Sequence, residues 1–190
     1  MRDIDIRAVL HNRLETRYAD DPLVRVVDEM GVLRGRSRID VAVINGRLEG
    51  FEIKSERDSL ARLQGQAAAY GKVFNRLTII CAECHLDAAR DGLPEWWGIE
   101  VARLRNDETS IVRDRGPRAN LHTEPGALAQ LLWRHEVLEV LEGLGLDRGL
   151  RSKPRRVLWA ALAAALPPRL LASTVRDRLR ARPADWLAGG

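Results

Sequence analysis

The chain has 190 residues, 31 Lys and Arg against 27 Asp and Glu, a net charge of +4 and 45% hydrophobic residues. That length allows one mixed domain with its own core and a modest helical extension, and the absence of long repeats or low-complexity tracts excludes repeat architectures. No basic-plus-apolar segment leads into a cleavage site, and the longest apolar run, Val157 to Leu166, stops at Pro167-Pro168, too short for a bilayer, so a cytoplasmic protein is expected.

Ile4 to Leu14 carries apolar residues at helical spacing and predicts an amphipathic first helix. Leu23 to Met30 reads as a short strand or helix end. Strands are expected near 38–44 and 48–54, with the turn dipeptide Asn45-Gly46 between them. A helix follows over 59–74, with Asp58 as its N-cap and Leu60, Leu63, Ala67 and Phe74 on its core face. Leu77 to Ala82 is a buried strand and Trp97 to Leu104 a further one. Strand, helix and strand across 48–82 call for a right-handed crossover between parallel neighbours. Asn106 to Gly126, rich in charge, Gly and Pro, reads as a linker or long loop. Three helices complete the chain: Ala127 to Leu144, ended by Gly143 and Gly145; one with Pro154 in its first turn, stopping before Pro167; and Leu170 to Arg182. The fold class is α/β, a mixed sheet flanked by helices, divided into a core over 1–105, a linker over 106–126 and a basic helical extension over 127–190.

The chemistry concentrates in Arg38-Ile39-Asp40-Val41-Ala42-Val43-Ile44-Asn45-Gly46 and Glu52-Ile53-Lys54. Asp40 heads one strand and Glu52 ends the next, so the two carboxylates could hold a divalent metal. Lys54, two residues past Glu52, projects to the same face. Magnesium takes hard oxygen ligands and lowers the pKa of bound water, which is what attack on an anionic phosphodiester requires. Register is the test. A two-residue Asn45-Gly46 loop would pair Asp40 with Phe51 and send Glu52 to the opposite face. One extra residue restores the site, through a three-residue loop with Gly46 left-handed or a bulge at Gly50. On the following helix Arg62, Gln66 and Tyr70 stand four residues apart and share one face. The bland alternative is a hairpin with an exposed Glu-Lys pair and a helix with an incidental polar stripe.

The order Asp40, Glu52-x-Lys54, Gln66-x-x-x-Tyr70 resembles the PD-(D/E)XK phosphodiesterase superfamily, and within it the RecB-like members with a Gln-x-x-x-Tyr element. Together with Val27 to Gly31, Asp58-Ser59-Leu60, Trp96-Trp97-Gly98-Ile99 and Leu132-Trp133-Arg134, it is similar to a small, poorly characterised bacterial and prophage family of that type. The resemblance implies a restriction-endonuclease-like fold. It also implies a metal set of Glu29, Asp40, Glu52 and the Ile53 carbonyl, and catalytic roles for Asp40, Glu52, Lys54, Gln66 and Tyr70. Ile39 stands where the superfamily motif has proline. The expected activity is a magnesium-dependent deoxyribonuclease, with manganese as a substitute ion. The alternative is a non-catalytic nucleic-acid-binding or phage-borne regulatory protein that retains the fold.

From Leu144 onward the chain carries roughly seven net positive charges, and what precedes it is slightly acidic. A basic tail is the footprint of a phosphate-backbone contact, with Arg62, Arg176 and Arg180 as nucleic-acid-binding candidates. The last two helices admit a helix-turn-helix reading or a cap on the core with arginines on its wet side. Cys81-Ala-Glu-Cys84-His85 matches the c-type haem attachment pattern, but that chemistry needs an exported protein, so no haem is expected. His11 and His135 have no evident partner, and Trp96 and Trp97 suit core packing better than base stacking. The expected partner is nucleic acid, DNA before RNA; no membrane is expected, and a homodimer is left open.

Overall fold

The computed structural model describes residues 1–106, 108–183 and 186. Helix α1 (Asp3–Arg17) forms because Ile6, Leu10 and Leu14 recur every four residues and bury one face, while Asp3 and Asp5 in the first turn and Arg17 in the last complement its dipole. Among the described residues, β1 (Arg25–Val32), β2 (Ser37–Ile44), β3 (Leu48–Lys54), β4 (Arg76–Ala82), β5 (Gly98–Arg105) and β6 (Glu108–Arg115) form one sheet in chain order. β1, β2 and β3 pair antiparallel, β3, β4 and β5 parallel, and β6 returns antiparallel. The parallel neighbours are joined by α2 (Leu63–Gly71) and by α3 (Leu86–Gly92), as a parallel pair demands.

The two faces bury separate cores. Val41, Val43, Phe51, Ile53 and Ile80 meet Ile6, Leu10 and Leu14 of α1. On the other face Ala42, Ile44, Leu77, Ile79 and Ile99 meet Phe74 and Trp97, together with the C-terminal helices α4 (Pro125–Ala129), α5 (Arg134–Gly143), α6 (Arg155–Ala165) and α7 (Pro168–Ala181). Gly50 lets β3 come this close: a Cβ there would lie 2.7 Å from Leu77 Cδ2. Trp97 is fully buried and Trp96 half-buried, in keeping with core packing.

Several expectations are corrected. Residues 106–126 are no plain linker, because β6 lies within them; its charges mark an edge strand with one side half-covered by α1. The segment 127–144 is two helices, broken before Trp133, whose extended backbone starts α5. Gly145, left-handed at φ +71, ends α5, with Leu146 N–H donating to the Leu141 carbonyl at 2.8 Å. Asp58 caps no helix; its Oδ2 accepts from Ser55 N–H and Oγ–H, and α2 begins only at Leu63. Pro154 precedes α6 rather than lying inside it. His11 does have a partner, Asp28 Oδ1 at 2.8 Å, and His135 lies against Trp133.

The C-terminal helices are a cap. Leu158, Leu162, Leu171, Val175 and Leu179 are buried in the shared core. Two arginines of α7 are paired: Arg178 with Glu139 and Arg180 with Asp177. Arg182 is buried, bonded to Glu136 at 2.6 and 2.8 Å and to the Leu131 carbonyl at 2.8 Å, between the rings of Trp133 and Trp186. Arg176 is half-buried on the same helix. Arg180, a nucleic-acid candidate in the sequence, is thus held by an acid of its own helix, and α7 packs against α4, α6 and β2. No helix among the described residues is long and apolar enough to cross a membrane.

Candidate functional site

A polar cleft of about 860 Å³ opens where β2 and β3 part, between the tip of the β1–β2 hairpin and the start of α2. Its register is set by the Asn45–Arg47 loop. Ile44 pairs with Leu48 and Val41 with Phe51, which continued one step sets Asp40 opposite Glu52. The loop has three residues, as the site requires, but no left-handed Gly46; Asn45 instead accepts the Arg47 N–H on its own side chain at 2.9 Å.

The β2–β3 ladder ends at Val41 and Phe51, which leaves the Ile53 N–H without a partner carbonyl in β2. Asp40 Oδ2 takes that bond at 2.6 Å. Burial, and then the charge of Glu52, push the Asp40 carboxyl up to about 7, against the Ile53 N–H, Arg7 and Lys54. Glu52 and Lys54 are both buried, with Nζ donating to Oε1 at 2.6 Å. Gln66 Nε2 donates to the same oxygen at 2.5 Å. Glu52 Oε2 and Gln66 Oε1 are buried without a hydrogen-bond partner among the described residues.

Tyr70 departs from expectation. Its ring is fully buried beside Phe74 and Trp97, and only the hydroxyl reaches the cleft wall, donating to the Arg38 carbonyl at 2.5 Å. Burial, then the charge of Glu52, raise its pKa, so the phenol stays protonated. Glu29 sits in β1 at φ +53, between the pairs Asp28–Val41 and Met30–Ile39, hence opposite Asp40.

The residue that sequence inspection missed is Arg7. Its guanidinium donates to the Asp40 carbonyl at 2.8 Å, Glu29 Oε1 at 2.9 Å and Asp3 Oδ1 at 3.2 Å, and lies 3.6 Å from Asp40 Oδ1. Only the packing of α1 across β2 brings it there, and no local pattern announces it. Two carboxylates and the Ile53 carbonyl are hard oxygen donors of the kind magnesium uses. They fit a divalent ion only in part: no group of three or more His, Cys, Asp or Glu side chains suited to a metal is found among the described residues. The floor is already faced by two cations of the chain itself, Arg7 and Lys54.

Around the mouth the balance changes. Arg36, Arg38 and Arg62 line the cleft and are exposed. Among the described residues, Arg36 and Arg62 have no side-chain hydrogen bond or ion pair, while Arg38 has only Glu29 at 3.8 Å.

Fold and cleft together define an α/β protein whose acidic floor is neutralised from within and whose rim is set with arginines. The chain belongs to the family of bacteriophage P4 protein cII, whose family model matches residues 1–185. Protein cII of Enterobacteria phage P4 is 46% identical over 57 residues, 30% of this chain and 22% of that relative, so the match spans about a fifth of the relative's length. The SPO1766 protein of unknown function from Silicibacter pomeroyi is similar at a TM-score of 0.44 and 16% identity, over 81% of this chain and 96% of that one. The family is that of a phage protein and not of a nuclease. That corrects the expectation of a magnesium-dependent deoxyribonuclease.

Proposed function

We propose that this is a phage-borne regulatory protein that binds nucleic acid and acts by occupying it. The observation that carries this is the cleft: Arg7 and Lys54 neutralise the carboxylates of its floor, while Arg36, Arg38 and Arg62 stand exposed at its mouth. Exposed guanidiniums pair with phosphate oxygens in bidentate fashion, and each such contact releases counterions. The polymer proposed is DNA; arginine on phosphate is chemistry that RNA shares, so the test includes both. The retained resemblance to the PD-(D/E)XK arrangement is proposed as a fold adapted to hold a backbone. A divalent ion, magnesium or manganese, is proposed only as a counter-ion at the unpartnered Glu52 Oε2.

Fluorescence anisotropy of labelled duplex DNA and duplex RNA, titrated with the full chain at several salt concentrations, tests this. DNA binding that weakens steeply with salt is expected, and Arg38→Glu with Arg62→Glu should lower affinity at least about tenfold, given that charge-assisted contacts contribute about 1.5–3 kcal/mol each. The same titrations with magnesium, manganese or chelator read any counter-ion. Absence of binding to either polymer at low salt would refute the proposal.

A further inference from the structure

The tip of the β1–β2 hairpin is built in a conformation its residues disfavour. Gly35 N–H donates to the Val32 carbonyl at 3.0 Å, closing a turn whose two central residues, Leu33 at φ +49 and Arg34 at φ +65, are both left-handed; Gly35 follows at φ +79. Positive φ at both central positions is the type I′ pattern, which Asn and Gly normally fill. For Leu and Arg the left-handed region costs roughly 1–2 kcal/mol each.

The turn separates two kinds of side chain. Leu33 folds back and packs on the main core, while Arg34 and Arg36 are exposed. Neither arginine makes a side-chain hydrogen bond or ion pair with any described residue. Arg38 continues the series into the cleft wall, which Gly35, Arg36 and Ser37 also form. Strain of this kind persists where the surrounding structure enforces it, and it gathers at functional positions.

We infer that this tip is a phosphate-contacting arm, in which Arg34 and Arg36 engage the backbone of duplex DNA seated along the cleft. The inference rests on the nucleic-acid function proposed above and assigns its principal contact to the hairpin. Charge complementarity selects the occupant: a backbone with a fixed run of phosphates matches arginines at alternate positions that have no acidic partner of their own. If each makes one phosphate contact, removing both reduces the salt slope of binding by about 2, since each contributes about 0.9.

The experiment compares the full chain with Arg34→Gly/Arg36→Gln and Arg34→Lys/Arg36→Lys by anisotropy on duplex DNA and duplex RNA across salt, with urea unfolding alongside. The Gly/Gln variant should bind DNA at least about tenfold more weakly and with a flatter salt slope. Its unfolding midpoint should stay level or rise, because a glycine in place of Arg34 relieves the turn. The Lys pair should recover part of the affinity. A folded Gly/Gln variant with unchanged affinity and slope would overturn the arm while leaving the nucleic-acid function standing. A wild-type chain that binds only RNA overturns the DNA assignment, and one that binds neither polymer overturns both proposals.

Discussion

Asp40 stands where β2 leaves β3, and its carboxylate completes the sheet by accepting the Ile53 N–H. Its pKa is raised from 3.8 to about 7, first by burial and then by Glu52. The folded state therefore holds this proton more tightly than the unfolded chain does. The stabilisation is complete below about pH 4 and is lost as pH rises toward about 7. Asp40→Asn keeps an acceptor and abolishes the titration, so its stability relative to wild type should increase between about pH 4 and pH 8, by a few kcal/mol at most. Urea unfolding at the two pH values measures this, and a constant difference would show that Asp40 does not titrate across that range. Glu52 and Lys54 make the complementary case. Lys54→Met removes one half of a buried pair and leaves a carboxylate facing only Gln66 and Asp40, which should destabilise by roughly 3–5 kcal/mol. Lys54→Met with Glu52→Gln should recover much of it, and failure to recover would mean that Lys54 acts outside the pair.

Among elements, β3 shows how little room its neighbours β2 and β4, and Phe74 before β4, leave on that face of the sheet. A methyl group at residue 50 would meet Leu77 Cδ2 at 2.7 Å, Phe74 Cδ1 at 3.2 Å and Ile39 Cγ1 at 3.3 Å. Gly50→Ala should cost about 1–3 kcal/mol through overpacking. Leu77→Ala in the same chain should make the two changes less than additive, because the nearest clash is then removed; strict additivity in a double-mutant cycle would count against it. The β1–β2 hairpin behaves in the opposite sense, since Leu33 and Arg34 fill a turn that asks for Asn and Gly. Arg34→Gly alone should therefore raise stability by up to about 1 kcal/mol.

For the whole molecule, the C-terminal helices share the core of the sheet. Truncation before Arg151 would expose apolar faces on α4, α5 and the sheet that Leu158, Leu162, Leu171 and Val175 now cover. The expected product is unfolded or aggregated, seen as loss of a cooperative thermal transition. A well-folded truncated chain would mean that the helices are an appended module. Arg182→Ala should be costly for the same reason: it leaves Glu136 buried without its cation and opens the stack between Trp133 and Trp186.

What the sequence determined by itself was local and periodic. The four-residue spacing of Ile6, Leu10 and Leu14, the apolar runs of β2 to β5, and the placement of Glu52 and Lys54 on one face follow from helix and strand geometry alone. Asp40 opposite Glu52 was legible as a condition, because a three-residue loop is needed and Asn45 to Arg47 can form one. Tertiary structure decided the rest. β6 was hidden because an edge strand covered on one side can be charged along half of its length. Arg7 lies 33 residues from Asp40, and only the crossing of α1 over the sheet makes it the cation of the acidic floor. The arginines of α7 look alike in sequence, yet packing buries Arg182 and pairs Arg178 and Arg180, while Arg34 and Arg36, in a shorter basic run, are left exposed at a strained turn. Charge is read along the chain, but whether a charge is free depends on which acids the fold brings beside it.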